Sequence, residues 1–149
     1  MTRFAVHYFM LFAVMATVFP FFQAFLRALG FSIAEVGHLQ GIASLAGVGG
    51  PILIGYFADR LGRRKALLIA SVVVYALFLT PLGHTRAFVP AAMLVVGVGF
   101  ASRSLIPLTD ALAAGELPDP ARNYGRVRVW GSLGFVTISA LLGWKWLGL

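Results

Sequence analysis

The sequence predicts an all-α membrane protein with five transmembrane helices. Hydrophobic residues make up 60% of the chain and charged residues 11%, and the mean hydropathy is +0.90. A soluble domain has about 45–50% apolar and about 25% charged residues. The apolar residues form runs of the roughly 20 residues that a helix needs to cross a hydrocarbon core of about 30 Å. The absence of cysteine excludes a disulfide framework and thiolate metal sites.

The apolar runs define the five helices in order. Because backbone groups in a bilayer must satisfy their own hydrogen bonds, each run is expected to be helical. The first is expected to be a retained span and not a signal peptide, since the bulky PFFQAFLRALG follows it where cleavage requires small residues. The expected spans are about 4–28, 33–58, 66–83, 87–113 and 129–149.

Basic residues predict how the spans are oriented. With five antiparallel spans, eight bases share the side of the N-terminus and three lie on the other. An excess of Lys and Arg marks the cytoplasmic side, so a cytoplasmic N-terminus in the cell inner membrane is expected. Bases dispersed between apolar runs flank a lipid bilayer and form no nucleic-acid-binding face. The first group is Arg3, Arg60, Arg63, Arg64, Lys65, Arg122, Arg126 and Arg128; the second is Arg27, Arg86 and Lys145.

Five charges are concentrated in GYFADRLGRRK, residues 55–65, between the second and third spans. Gly62 permits a reversal of the chain, and Gly55 permits close approach of another backbone. Asp59 is placed to form a charge-assisted pair with a neighbouring arginine. Alternatively, Asp59 only offsets excess positive charge.

This stretch resembles the G-x-x-x-D-R-x-G-R-[R/K] signature of the major facilitator superfamily, which lies in the loop after the second helix. The resemblance implies a cytoplasmic latch between two halves of a transporter. The residues that match are Gly55, Asp59, Arg60, Gly62, Arg63 and Arg64.

Three further stretches are similar to a facilitator group that includes phenylpropionate permease-like and nucleoside-proton symporter-like proteins. They are VFPFFQAFLRALGFS at 18–32, PLTDAL at 107–112 and NYGRVRVWGSLGF at 123–135. The resemblance implies the N-terminal part of a twelve-helix fold, and so a fragment whose partners are the missing C-terminal helices. It implies secondary active transport by alternating access, as proton-coupled symport of a small organic solute, without a cofactor. The alternative is a small stand-alone membrane protein with an assembly or regulatory role.

Polar residues inside the spans are the candidates for a solute cavity. Arg103 lies about 16 residues into the fourth span, where a charge costs about 2.5–3.5 kcal/mol unless it faces protein or water. It either lines the cavity or pairs with Asp110, two turns further along the same face beyond Pro107. Gln23 is the second cavity candidate, because it follows the helix breaker Pro20.

Small residues recur every four positions along the second span and predict a close helix contact. A partner for them is expected outside the five helices. The stretch GIASLAGVGG, residues 41–50, lacks the Gly-Lys-Ser/Thr ending of a phosphate loop, so we interpret it, and VGVGF in the fourth span, as packing. We find no nucleophile–base pair and no metal-ligand spacing, and we therefore expect neither an enzyme nor a metal site. The recurring positions are Ala43, Gly47, Pro51, Gly55 and Asp59.

Overall fold

The computed structural model describes residues 1–147, and within that range every regular element is an α-helix. The first two helices together form one candidate span, so five segments are long and apolar enough to cross a membrane. The predicted fold class is therefore confirmed. Residues 148 and 149, which end the fifth expected span, lie outside the described residues. The helices are α1 Thr2–Val18, α2 Phe22–Ala28, α3 Ile33–Leu61, α4 Arg64–Leu82, α5 Phe88–Glu116 and α6 Pro120–Leu147.

The first span is interrupted by a turn at residues 19–21. Pro20 has no backbone N–H to donate, which is why a helix rarely continues through such a residue without a kink or break. After the short α2, Gly30 adopts a left-handed φ of 100°. The Arg27 guanidinium closes this turn by donating to the Phe31 carbonyl oxygen at 2.9 Å.

Both ends of α3 carry recognisable caps. Ser32 and Glu35 form a capping box, in which the Ser32 hydroxyl accepts from the Glu35 N–H while the Glu35 carboxylate accepts from the Ser32 N–H. Such a box satisfies two N–H groups that the helix itself leaves unpaired. At the other end Gly62 takes a left-handed φ of 62°. The predicted reversal at Gly62 is confirmed.

The last helix begins at Pro120, earlier than the apolar boundary expected near Val129. Proline suits the first position of a helix, because its N–H would have no partner there and its φ is already helical. The Asn123 amide also donates to the Pro118 carbonyl oxygen at 2.6 Å before the helix. Hydropathy marks where a chain becomes apolar, whereas a helix begins where its first turn is capped, so the two boundaries differ.

Two compact units are present, and each has its own core. In the first, which comprises residues 1–23 and the described residues from 113 to 147, helices α1 and α6 pack so closely that a Cβ at Gly134 would collide with the Phe9 carbonyl oxygen. This approach explains why only glycine fits there. The core consists of Tyr8, Ala113, Leu117 and Val127, flanked by Phe4, Phe12 and Tyr124.

The second unit, residues 24–112, contains a hydrophobic cluster between α4 and α5. The Phe78 ring lies directly against Gly97, where a Cβ would collide with it. The glycine therefore admits an aromatic ring at the helix contact. The buried residues of this cluster are Tyr75, Val98 and Ala101, with Val74, Phe78 and Leu79 packed around them.

Candidate functional site

The turn between α3 and α4 brings two residues of the predicted latch together. The Arg64 Nη2 donates to the Asp59 Oδ1 at 3.0 Å, and the side chains are 40% and 73% exposed, respectively. Gly62 makes the contact possible, because its left-handed conformation reverses the chain between the two side chains. The arginine that pairs with Asp59 in this turn is therefore Arg64.

Arg64 also contacts a third helix. Its Nη1 donates to the carbonyl oxygen of Ala111 on α5 at 3.4 Å. A planar guanidinium presents five N–H donors in a fixed fork, so it can hold a carboxylate and a carbonyl at once. Arg64 thus joins the end of α3 to the C-terminal half of α5.

The other latch residues behave differently from Arg64. Arg60 donates to the Tyr56 hydroxyl oxygen at 2.6 Å, and its guanidinium carbon lies 5.9 Å from the centre of that ring. Arg63 is exposed at the turn. Gly55 has no atom of the described residues within 4 Å of an added Cβ. The close backbone approach expected at Gly55 is therefore not made within residues 1–147.

Arg103 lies on α5 with an exposed side chain. The first carbons of this side chain lie against Gly47 of α3, since a Cβ built there would be 2.7 Å from the Arg103 Cγ and 3.6 Å from its Cβ. The aliphatic part of the Arg103 side chain therefore packs against Gly47.

Arg103 and Asp110 belong to one exposed or half-buried stripe on α5. Its members are spaced by three or four residues, which places them on the same face of a helix. A charge on a lipid-facing stripe at this depth costs about 2.5–3.5 kcal/mol, so the stripe suits contact with water or protein. The stripe consists of Met93, Val96, Phe100, Arg103, Pro107 and Asp110.

Gln23, the other cavity candidate, lies in the first turn of α2 and is exposed. It belongs to the first compact unit, whereas Arg103 and Asp110 belong to the second.

Two members of the small-residue strip of α3, Ala43 and Gly47, contact α5, contrary to the expectation that the partner lies outside the five helices. A Cβ at Gly99 of α5 would lie 2.8 Å from the Ala43 carbonyl carbon, and one at Gly50 would lie 2.7 Å from the Ser104 Oγ. Periodicity identified the face of α3 but not the helix that covers it. The interpretation of GIASLAGVGG and VGVGF as packing segments is confirmed.

A cation–π contact in the first unit was not predicted. The Arg128 guanidinium carbon lies 4.3 Å from the ring centre of Phe12 and 5.7 Å from that of Tyr8. The sequence indicated only a cytoplasmic charge at this position. The contact depends on α1 packing against α6, helices that are far apart along the chain and whose proximity no local pattern indicates.

Comparison with known proteins places these features in a family. Residues 1–146 match the MFS_1 like family. The chain is 31% identical to the maltose permease of Geobacillus stearothermophilus, over 96% of this chain and 36% of that protein. It is 30% identical to the "Probable 3-phenylpropionic acid transporter" of Escherichia coli K12, over 93% of this chain and 37% of that protein.

A third relative, the raffinose permease of Escherichia coli, is 26% identical over 94% of this chain and 35% of that protein. The chain thus spans about a third of the length of these relatives. No solved structure matches significantly. These relatives are named as permeases or transporters, and none is named as an enzyme. With its five candidate spans, the chain is a multi-pass membrane protein that belongs to the MFS_1 like family of the major facilitator superfamily.

Proposed function

We propose that this chain is the N-terminal part of a secondary active transporter that moves a small organic solute by alternating access. The observation that carries the proposal is the exposed α5 stripe with Arg103 at its centre. A spanning helix that exposes a guanidinium needs water or protein opposite it, and a solute cavity supplies both. The names of the relatives, all permeases or transporters, support the same class of activity.

Arg103 is the proposed solute-binding residue of the second unit, and Gln23 is a separate candidate in the first unit. A guanidinium offers five donors in a plane and suits carboxylate or hydroxyl oxygens of a solute. Asp110, two turns away on the same stripe, is the proposed partner of Arg103 when no solute is bound. Asp110 would then pair with Arg103 when the site is empty, and the solute would pair with it when the site is occupied. In neither state is Arg103 left as an isolated charge inside the membrane.

The α3–α4 turn is the proposed cytoplasmic latch. Its ion pair is exposed, and exposed pairs contribute only about 0–1 kcal/mol to stability. A contribution of that size matters little for folding, yet it shifts the balance between two conformations of similar free energy. The latch therefore acts on the transport cycle and not on the fold.

The opposite wall of the cavity belongs to further helices. In facilitator folds the solute site lies between two halves, and transport is the rocking of one half against the other. This chain spans about a third of its relatives' length, which supports a continuation through C-terminal helices. The base asymmetry supports an inner-membrane location with a cytoplasmic N-terminus. Proton coupling is part of the proposal because the chain resembles a group that includes nucleoside-proton symporter-like proteins.

Solute uptake tests the proposal. Membrane vesicles containing the complete transporter that includes this chain are given an inside-alkaline pH gradient and labelled maltose, raffinose or 3-phenylpropionate. Accumulation of at least one solute that a protonophore abolishes, and that Arg103→Ala weakens, is expected. Uptake of all three at the level of empty vesicles would contradict this choice of solute class. Accumulation that a protonophore leaves unchanged would contradict proton coupling alone.

A further inference from the structure

We propose that Gly47 of α3 is a positioning residue for Arg103, and that its missing side chain fixes the direction in which the guanidinium leaves α5. This inference rests on the proposed solute-binding role of Arg103. Gly47 is buried, and a Cβ there would stand 2.7 Å from the Arg103 Cγ. That separation is far below van der Waals contact, so Arg103 keeps this path only opposite glycine.

The contact involves the root of the side chain and not its mobile end. A Cβ added at Gly47 would also lie 3.6 Å from the Arg103 Cβ and 3.3 Å from the Gly99 carbonyl oxygen. A methyl group at residue 47 is therefore bounded by the α5 backbone on one side and by the Arg103 stem on the other. Backbone movement requires the two helices to separate, whereas the stem can rotate about χ1 into another staggered position. Rotation of the Arg103 side chain about χ1 is therefore easier than separation of the two helices.

A rotation at χ1 moves the guanidinium by several ångströms, because the charged group lies at the end of a long side chain. The planar fork then no longer meets its solute oxygens at the angles that a bidentate contact requires. Gly47 would thus control solute affinity without touching the solute itself. Gly49 of α3 does not share this property, because no atom of another helix among the described residues lies within 4 Å of a Cβ added there.

Gly50 provides a packing control. A Cβ at Gly50 would collide with the Phe100 carbonyl oxygen and lie 2.7 Å from the Ser104 Oγ, so it presses on α5 without meeting Arg103. Gly50→Ala therefore loosens the same helix pair by a different contact. If affinity depends on Arg103 placement, Gly47→Ala and Gly50→Ala have different effects on KM.

A disulfide measurement tests the geometry independently of transport. The 3.6 Å between the two Cβ positions falls within the 3.5–4.5 Å range of disulfides. The chain has no native cysteine that would compete. In the complete transporter, with a protease site inserted near Thr85, the pair Gly47→Cys and Arg103→Cys should hold the two fragments together after mild oxidation. The pair Gly49→Cys and Arg103→Cys should not. Absence of the first cross-link, or equal cross-linking by both pairs, overturns the proposed contact.

A double-mutant cycle then tests the function of the contact with maltose or 3-phenylpropionate, whichever is transported. Gly47→Ala is expected to raise KM about tenfold with little change in kcat, as expected when one hydrogen bond to a charged group weakens. In an Arg103→Ala background, Gly47→Ala should have no further effect on KM. Additive effects, or equal KM changes in Gly47→Ala and Gly50→Ala, overturn the positioning role. A normal KM in Arg103→Ala refutes the solute-binding role instead, and the cross-linking result still reports the contact.

Discussion

Asp59 and Arg64 face each other across the turn at Gly62, with 3.0 Å between the Oδ1 and Nη2 atoms. This ion pair is exposed and contributes about 0–1 kcal/mol to stability. Arg64 simultaneously donates to the Ala111 carbonyl oxygen, so the pair is connected to α5. A contact of this kind has little influence on whether the helices fold, but its formation and loss can accompany a change of conformation.

The first prediction is that Asp59→Asn in the complete transporter lowers initial uptake strongly while membrane insertion is retained. The substitution keeps the size of the side chain and removes the charge that Arg64 holds. Uptake per inserted molecule is the measurement, and Lys65→Gln is the matched control because it removes a neighbouring exposed charge that lies outside the latch signature. Wild-type uptake by Asp59→Asn would instead show that Asp59 only offsets the excess positive charge of the turn.

The second prediction concerns topology. A reporter fused after Lys65 should be cytoplasmic, and one fused after Thr85 should be external, because the bases are concentrated on the side of the N-terminus. Paired alkaline phosphatase and green fluorescent protein fusions measure this. Inverted results at both positions would refute the orientation and the cytoplasmic placement of the latch.

The third prediction separates the two roles of Arg103. If it binds solute, Arg103→Lys should weaken solute binding, because a point charge does not replace a planar fork. If it chiefly pairs with Asp110, the exchange of Arg103→Asp with Asp110→Arg should restore much of the uptake that either single change removes. Normal binding and uptake by Arg103→Ala would exclude both roles.

The fourth prediction concerns the α3–α5 contact. Gly50→Ala should lower the stability of the protein by about 1–3 kcal/mol, because the added methyl group collides with the α5 backbone. Gly49→Ala should be neutral or stabilise by up to about 1 kcal/mol, since its Cβ enters open space and alanine favours a helix. Thermal unfolding in detergent compares the two variants. Equal melting temperatures would show that the helices are not in close contact at Gly50.

Hydropathy and local turn chemistry were sufficient to predict the five spans and the reversal at Gly62, because both depend on residues close together in the chain. The start of α6 at Pro120 was not predicted, since its first turns are polar and the apolar run begins later. Local sequence also identified Asp59 and its basic neighbours as an ion-pair site, but it left three arginines as alternatives. The turn geometry selects Arg64.

Contacts between distant segments could not be predicted. The four-residue repeat of small side chains in α3 showed that a helix packs there, but not that Gly99 of α5 meets Ala43. The contact between Arg128 and the Phe12 ring was not predicted either, because it requires α1 and α6 to be neighbours. A repeat along one helix determines a face, whereas the partner of that face is determined by the tertiary fold.

We propose that transport needs two halves, of which this chain is part of one. The most direct measurement compares gradient-driven uptake by the complete transporter with uptake by the 149-residue chain as the only protein added to vesicles. We predict that the complete transporter accumulates solute and that the chain alone inserts but accumulates none, because Arg103 then lacks the opposite wall of its cavity. Proton-driven accumulation by the chain alone would contradict the account and would require a transporter assembled from several copies of it.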